Sequence, residues 1–235
     1  MPFTPGIDFS GIVTALGANV TDLSVGDKVY GATLITLCGT YAEYVNVPAG
    51  LVAQAPRNIP LGTAAAVPLA ALTAWGALIA PEYADIQPDE TILIHGAAGG
   101  VGCFAVQLAK WRKAKVIATA SSYNAEFLKG IGADEVIDYK TERFEDVVKN
   151  VDVVADLVGG DLIERSYQVI KPQGRLMSVV ALPDQKIAET HQVRATFVPG
   201  FRSKNALNKI SELIDTGIIK VVISEELPLA DAAVK

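Results

Sequence analysis

The sequence predicts an α/β chain in which a doubly wound parallel sheet follows a smaller, mainly antiparallel β domain. Three observations carry that prediction. Residues 91–110, TILIHGAAGGVGCFAVQLAK, read as strand, small-residue turn and helix. Beyond them, short apolar strands alternate with helical segments. Before residue 57 the strands are short and the turns between them tight.

The first 57 residues carry β-branched or aromatic runs at 8–15, 28–32, 41–47 and 51–55, punctuated by Gly17, Gly26-Asp27, Gly39 and Pro48. Parallel strands need long crossovers, so spacing this close implies an antiparallel barrel or roll. Residues 58–80 are mainly helical. Residues 58–81 carry no charge, which raises the question of a membrane span. The stretch is alanine-rich, contains Pro60, Pro68 and Gly76, and lacks basic flanks and an aromatic belt, so a buried helix explains it better. Strand 91–95 then opens the alternating half. Further strands are expected at 115–119, 135–138, 151–157, 174–180 and 194–198. Helices are expected at 103–110, 125–130, 143–149, 161–170 and 204–215, with a polar loop at 183–190 and a last extended piece at 218–223. Alternation of this length implies a parallel sheet with helices on both faces. The expected domains are 1–57 and 58–235.

Half of the 235 residues are hydrophobic and 20% are charged, enough for a substantial core. The formal charge of −6 argues against nucleic acid, whose phosphates demand surplus Lys and Arg. Two cysteines, Cys38 and Cys103, cannot build a disulfide framework, so a cytoplasmic setting is expected. The first residues have neither the basic region nor the apolar core of a signal peptide.

The chemistry centres on Ala97-x-Gly99-x-x-Gly102, a dinucleotide fingerprint with alanine in its first position. Small residues let the backbone approach a pyrophosphate, and the N–H groups and positive dipole end of the following helix complete the cradle. Ala98, Gly99, Gly100, Val101 and Gly102 are the expected contacts. In NAD sites a carboxylate about 20 residues further on takes the ribose 2′-hydroxyl. Here that window is Thr119-Ala120-Ser121-Ser122-Tyr123-Asn124, with no acid before Glu126. Ser121, Ser122 and Asn124 can donate hydrogen bonds to a 2′-phosphate, which favours NADP(H). The alternative is ordinary loop polarity and helix capping. Cys38, Cys103, His95 and His191 have no partners at ligand spacing, so no metal site is expected. No nucleophile elbow or Ser/His/Asp signature occurs.

Several further motifs run in one order along the chain: Pro5-Gly6-Ile7-Asp8-Phe9-Ser10-Gly11, Val25-Gly26-Asp27-Lys28-Val29, Gly39-Thr40-Tyr41-Ala42-Glu43-Tyr44-Val45, Val67-Pro68-Leu69-Ala70-Ala71-Leu72-Thr73-Ala74, Gly132-Ala133-Asp134-Glu135-Val136-Ile137-Asp138-Tyr139 and Lys171-Pro172-Gln173-Gly174-Arg175. With the glycine turn, they resemble the medium-chain dehydrogenase/reductase superfamily, in its zinc-free, quinone-oxidoreductase-like branch. Gln173 stands where that family more often has glycine. Zinc-dependent relatives carry Gly-His-Glu where this chain has Gly6-Ile7-Asp8, and isoleucine offers a metal no lone pair.

The resemblance implies a Rossmann-type sheet with a partial GroES-like catalytic domain. It implies hydride transfer from NADPH to a quinone or an α,β-unsaturated carbonyl compound, and a homodimer without nucleic-acid or membrane partners. By the same resemblance Thr73, Val158, Ala181, Leu182, Phe197 and Val198 lie near the nicotinamide half of the cofactor, and Tyr139 against its adenosine end. Relative to that family the chain is expected to be shortened at both ends, lacking the Asn and Tyr positions that touch nicotinamide or substrate. Tyr41 is then the candidate hydroxyl for catalysis. Its alternative is packing, on an alternating strand at 41–45. A non-catalytic NADP(H)-binding protein stays open as the second reading.

Overall fold

The computed structural model describes residues 3–232. In chain order the elements are β1 (Asp8–Ile12), β2 (Lys28–Ala32), β3 (Val52–Gln54), α1 (Leu61–Ala64), α2 (Pro68–Leu78), β4 (Thr91–His95) and α3 (Gly100–Trp111). There follow β5 (Lys115–Ala120), α4 (Ala125–Gly130), β6 (Glu135–Asp138), α5 (Phe144–Val147), β7 (Val151–Asp156), α6 (Leu162–Ser166), β8 (Ile170–Ser178), α7 (Gln185–Thr190), β9 (Arg194–Phe197) and α8 (Lys204–Asp215). Two compact units form. One runs to Leu72 and resumes at Arg202; the other is Thr73–Phe201.

In the first unit β1, β2 and β3 make an antiparallel sheet in that order. Phe9, Val29 and Val52 are its small apolar core. Helix α8 belongs to the same unit. Tyr30 Oη donates to Leu207 O at 2.7 Å, and the Ser211 hydroxyl lies 2.8 Å from Tyr30 Oη. The buried phenol is therefore satisfied by the helix it packs against.

The second unit is a six-stranded parallel sheet in the order β6-β5-β4-β7-β8-β9. Ile92, Leu93, Ile94, Val116, Val153, Val154, Leu176 and Met177 are fully buried, as strands covered on both faces require. The chain leaves β4 for β5 and β6 on one side, then crosses back to β7, β8 and β9. The strand order thus reverses between β4 and β7. That is where open α/β sheets leave a crevice at their carboxyl edge.

Several sequence expectations are corrected. No strand forms at 41–47. The Tyr41 N–H bonds instead to Pro5 O at 3.0 Å, so this segment pairs with a turn that offers no strand edge. Tyr41 and Tyr44 are 52% and 77% exposed, which overturns the packing of an alternating strand. The loop expected at 183–190 is helix α7, started by the Asp184 carboxylate accepting from the N–H groups of Lys186 and Ile187. Strand β8 begins at Ile170, which shortens the preceding helix to α6. Residues 218–223 form no strand. The N–H groups of Ile218 and Ile219 turn back to Leu213 O at the end of α8.

Candidate functional site

The expected phosphate cradle is built from β4, a tight turn and α3. Helix α3 begins at Gly100, three residues earlier than its apolar spacing suggests, with Gly99 as its N-cap. No side chain caps it. Its first intrahelical bond is Cys103 N–H to Gly99 O, which leaves the N–H groups of Gly100, Val101 and Gly102 to point past the helix start. The glycines divide the work. A Cβ on Gly102 would meet Gly96 O at 2.4 Å and Ala97 O at 2.5 Å, so its bare Cα lets the helix pack on the turn. A Cβ on Gly100 would meet nothing within 4 Å, so space is open there. The left-handed step falls at Gly96, with φ +71°, and not at the position the fingerprint reserves for its first glycine. Ala97 can therefore occupy that position, fully buried, without strain. The cradle fits a pyrophosphate: unpaired donors, positive helix end, open approach.

Beside the cradle, at the carboxyl edge of β6, β5, β4 and β7, lies a cavity of about 880 Å³. Of the predicted contacts it gathers Ala98, Gly99, Ser121, Asn124, Tyr139 and Val158. Ser122 is adjacent but outside the lining. The Lys140 N–H, donating to Asp138 Oδ1 at 3.0 Å, holds Asp138 below the usual carboxylate range, with a smaller pull from Ser122. Thr73 is buried in α2, and Ala181, Leu182, Phe197 and Val198 follow or end β8 and β9, along the same carboxyl edge but outside the cavity. Leu182 is 77% exposed. Tyr41 belongs to the other unit.

The floor and far wall hold residues beyond the predicted contacts. His95, at the end of β4, is fully buried. Its Nδ1 lies 3.1 Å from Thr119 Oγ1 and its Nε2 3.1 Å from Ser166 Oγ. Ser166 gives its own proton to Leu162 O at 2.6 Å, so Nε2 carries the ring hydrogen and Nδ1 accepts from Thr119. Burial pushes this imidazole down to about 4, against a smaller upward pull from Asp156. Arg165 grips the buried Glu145 with two bonds of 2.5 and 3.0 Å, reaches Asp161 at 3.1 Å and lies over the Phe144 ring. That grip pulls Glu145 down to about 2. Lys140 and Arg143 stand in the turn after β6 and line the same cavity. The signal that could have found them is the register Ala120↔Asp138, which sets the two loops side by side.

In the first unit Asp8 accepts the Leu69 N–H at 2.6 Å at the start of α2. Burial raises its carboxyl to about 6, offset in part by that bond and by Arg202. Among the described residues no three His, Cys, Asp or Glu side chains gather at metal-binding distance, and no helix is long and apolar enough to cross a membrane.

Comparison with known proteins bears on both units. Residues 1–57 match the family described as alcohol dehydrogenase GroES-like domain, and residues 131–234 the one described as zinc-binding dehydrogenase. An NADPH-dependent alkenal/one oxidoreductase of Arabidopsis thaliana is 34% identical over 97% of this chain. This chain spans 58% of the length of that protein, less than two thirds. The quinone oxidoreductase of Coxiella burnetii superposes with a TM-score of 0.91 at 34% identity, over 100% of this chain and 74% of that one. The Escherichia coli quinone oxidoreductase, solved in complex with NADPH, gives 0.85 at 32% identity over 97% and 76%. Fold, motifs and relatives agree: this chain belongs to the medium-chain dehydrogenase/reductase superfamily.

Proposed function

We propose that this chain is an NADPH-dependent oxidoreductase that delivers hydride to a quinone or to the β-carbon of an α,β-unsaturated carbonyl compound, without zinc. The observation that supports it most is the uncapped start of α3, with open space at Gly100 and a large cavity at the switch point. The relatives support the acceptor class: two are quinone oxidoreductases and one is an alkenal/one oxidoreductase.

In this reading Gly99, Gly100, Val101 and Gly102 hold the pyrophosphate, and Ser121, Ser122, Asn124 and Tyr139 the ribose at the adenosine end. Thr73, Val158, Ala181, Leu182, Phe197 and Val198 shield the other half from water. When bound, the nicotinamide supplies the hydride and the hard chemistry. The chain must orient it and stabilise the oxygen on which charge develops, with a donor or solvent. Tyr41, exposed in the first unit, is the candidate donor. Zinc independence rests on Ile7, and on His95, whose two ring nitrogens are already bonded to hydroxyls. A cytoplasmic homodimer paired through β9, an edge of the sheet, completes the proposal.

Titration with NADPH, followed by absorbance loss on adding a small quinone or enone, tests it. The expected result is binding, then turnover that a zinc chelator leaves unchanged. Binding without turnover supports a second reading, a non-catalytic NADP(H)-binding protein. Absence of binding overturns both.

A further inference from the structure

We propose that Asp156 and Ser178 are positioning residues: together they set the loops after β7 and β8 in the shape that presents Val158, Ala181 and Leu182 to the nicotinamide half of the cofactor. The inference rests on the NADPH reading above and adds two residues that stand behind those contacts.

The two stand side by side at the carboxyl ends of neighbouring strands, in the register Asp156↔Ser178, and both are fully buried. The Ser178 hydroxyl donates to Asp156 Oδ2 at 2.8 Å. Asp156 Oδ1 accepts the Val158 and Gly159 N–H groups at 3.1 and 2.8 Å. Ser178 Oγ in turn accepts the Val180 and Ala181 N–H groups at 3.3 and 3.2 Å. Donors and acceptors balance: a hydroxyl has one hydrogen and two lone pairs, and all are used. A carboxylate withdrawn from water is costly without such partners, and this one has three donors.

Beyond a strand end the amide N–H groups leave the ladder and need another partner. Here two from each loop turn inward to this pair, while Val158, Val180 and Leu182 are exposed although apolar. Gly159 has φ +83°, the left-handed step that brings its N–H back to Asp156. The loops also lie against each other and against the glycine turn. A Cβ on Gly159 would meet Val180 Cγ2 at 3.0 Å, and one on Gly96 would meet Val158 Cγ2 at 2.8 Å. The result is an apolar shelf beside the cavity that Val158 lines. A flat ring lies against such a shelf in one orientation only while both loops keep this shape. Packing alone does not call for a carboxylate at this place, because apolar side chains would fill two adjacent strand ends without desolvating a charge.

The test compares wild type with Ser178→Ala, which releases the Val180 and Ala181 N–H groups and leaves Asp156 holding the loop after β7. Dissociation constants are measured for NADPH and for 2′-phospho-ADP-ribose, which lacks the nicotinamide. Ser178→Ala should weaken NADPH about tenfold and hold the fragment within about twofold. The fluorescence of bound NADPH should move toward that of the free cofactor. Asp156→Asn, nearly the same size, is the second variant. It keeps an acceptor for the first loop but turns a donor toward Ser178, and the same split between the two ligands is expected. Hydrogen exchange on the wild type needs no variant: the four loop amides should exchange at least about a hundredfold more slowly than in the unfolded chain. Unchanged NADPH affinity in both variants overturns this inference alone. So does equal weakening of NADPH and fragment, which a merely structural role would give, and so does unprotected exchange at the four amides. A wild type that does not bind NADPH overturns the NADPH reading itself, and this assignment with it.

Discussion

Gly100 and Gly102 sit two residues apart in the first turn of α3, yet the structure asks opposite things of them. A methyl on Gly102 meets two backbone carbonyls that cannot step aside. Gly102→Ala should therefore cost about 1–3 kcal/mol of stability, the usual range for overpacking. A methyl on Gly100 meets no protein atom within 4 Å. Gly100→Ala should leave stability unchanged or raise it by up to about 1 kcal/mol, since alanine suits a helix better. In the proposed reading Gly100 faces the pyrophosphate, so the same change should weaken NADPH binding. Denaturant melts and NADPH titration on the two variants separate these effects; a Gly100→Ala chain that binds normally would remove Gly100 from the cradle. The sequence showed that small residues were needed here. It did not show which one met protein and which met open space, because that depends on where the turn goes left-handed, and the turn does so at Gly96.

Among elements, the entry to β8 tests how a departure from a family pattern is tolerated. Gln173 has φ +65°, the left-handed region, and its N–H bonds to Gln192 O at 2.7 Å. A residue with a Cβ pays there for what glycine adopts freely. Gln173→Gly should stabilise the chain by about 0.5–1 kcal/mol, visible as a higher denaturation midpoint with unchanged slope. A lower midpoint would show that the Gln173 side chain contributes more than its backbone costs. Element identity was legible wherever apolar runs were bounded by glycine or proline: β4, β6, α4 and α8 match their expected limits. The failures have physical causes. An alternating run such as 41–47 needs a neighbouring edge, and alternation carries no information about whether one exists. A polar run such as 183–190 hid a short helix whose signal was a single capping aspartate, Asp184.

For the molecule as a whole, two ionisable groups, one fully and one partly buried, set opposing pH responses, one in each unit. His95 stays neutral in the fold down to about pH 4, whereas in the unfolded chain it protonates near 6.5. Between those values the unfolded state takes up the proton, so this group lowers stability as pH falls, by up to about 3 kcal/mol. Asp8 runs the other way. Unfolded, it ionises near 3.8; folded, only at about 6. Its contribution is present at low pH and is lost as pH rises from 3.8 to about 6, again by up to about 3 kcal/mol. Between pH 4 and 6 the two slopes oppose each other. An Asp8→Asn chain should become more acid-sensitive than wild type across that window, and a His95→Gln chain less so. Melting temperatures measured at intervals from pH 4 to 7 check both, and parallel curves for all three chains would refute the pair. Neither group's environment was legible from the sequence. His95 ends an expected strand and Asp8 begins one, and the sequence does not show what meets either, because their partners come from far along the chain: Ser166 for one and Leu69 for the other.

The two ends of the cradle are built from materials of unequal tolerance. At Gly102, helix and turn approach so closely that main-chain atoms leave no room for a side chain. At the turn after β6, Lys140 and Arg143 are exposed side chains on a loop held mainly by the main-chain carbonyl and carboxylate of Asp138. The glycine turn is then brittle under mutation, and the surface of the turn after β6 plastic. A lineage built on this fold can change the charge of that turn in a step or two, while the fold beneath it stays as it is.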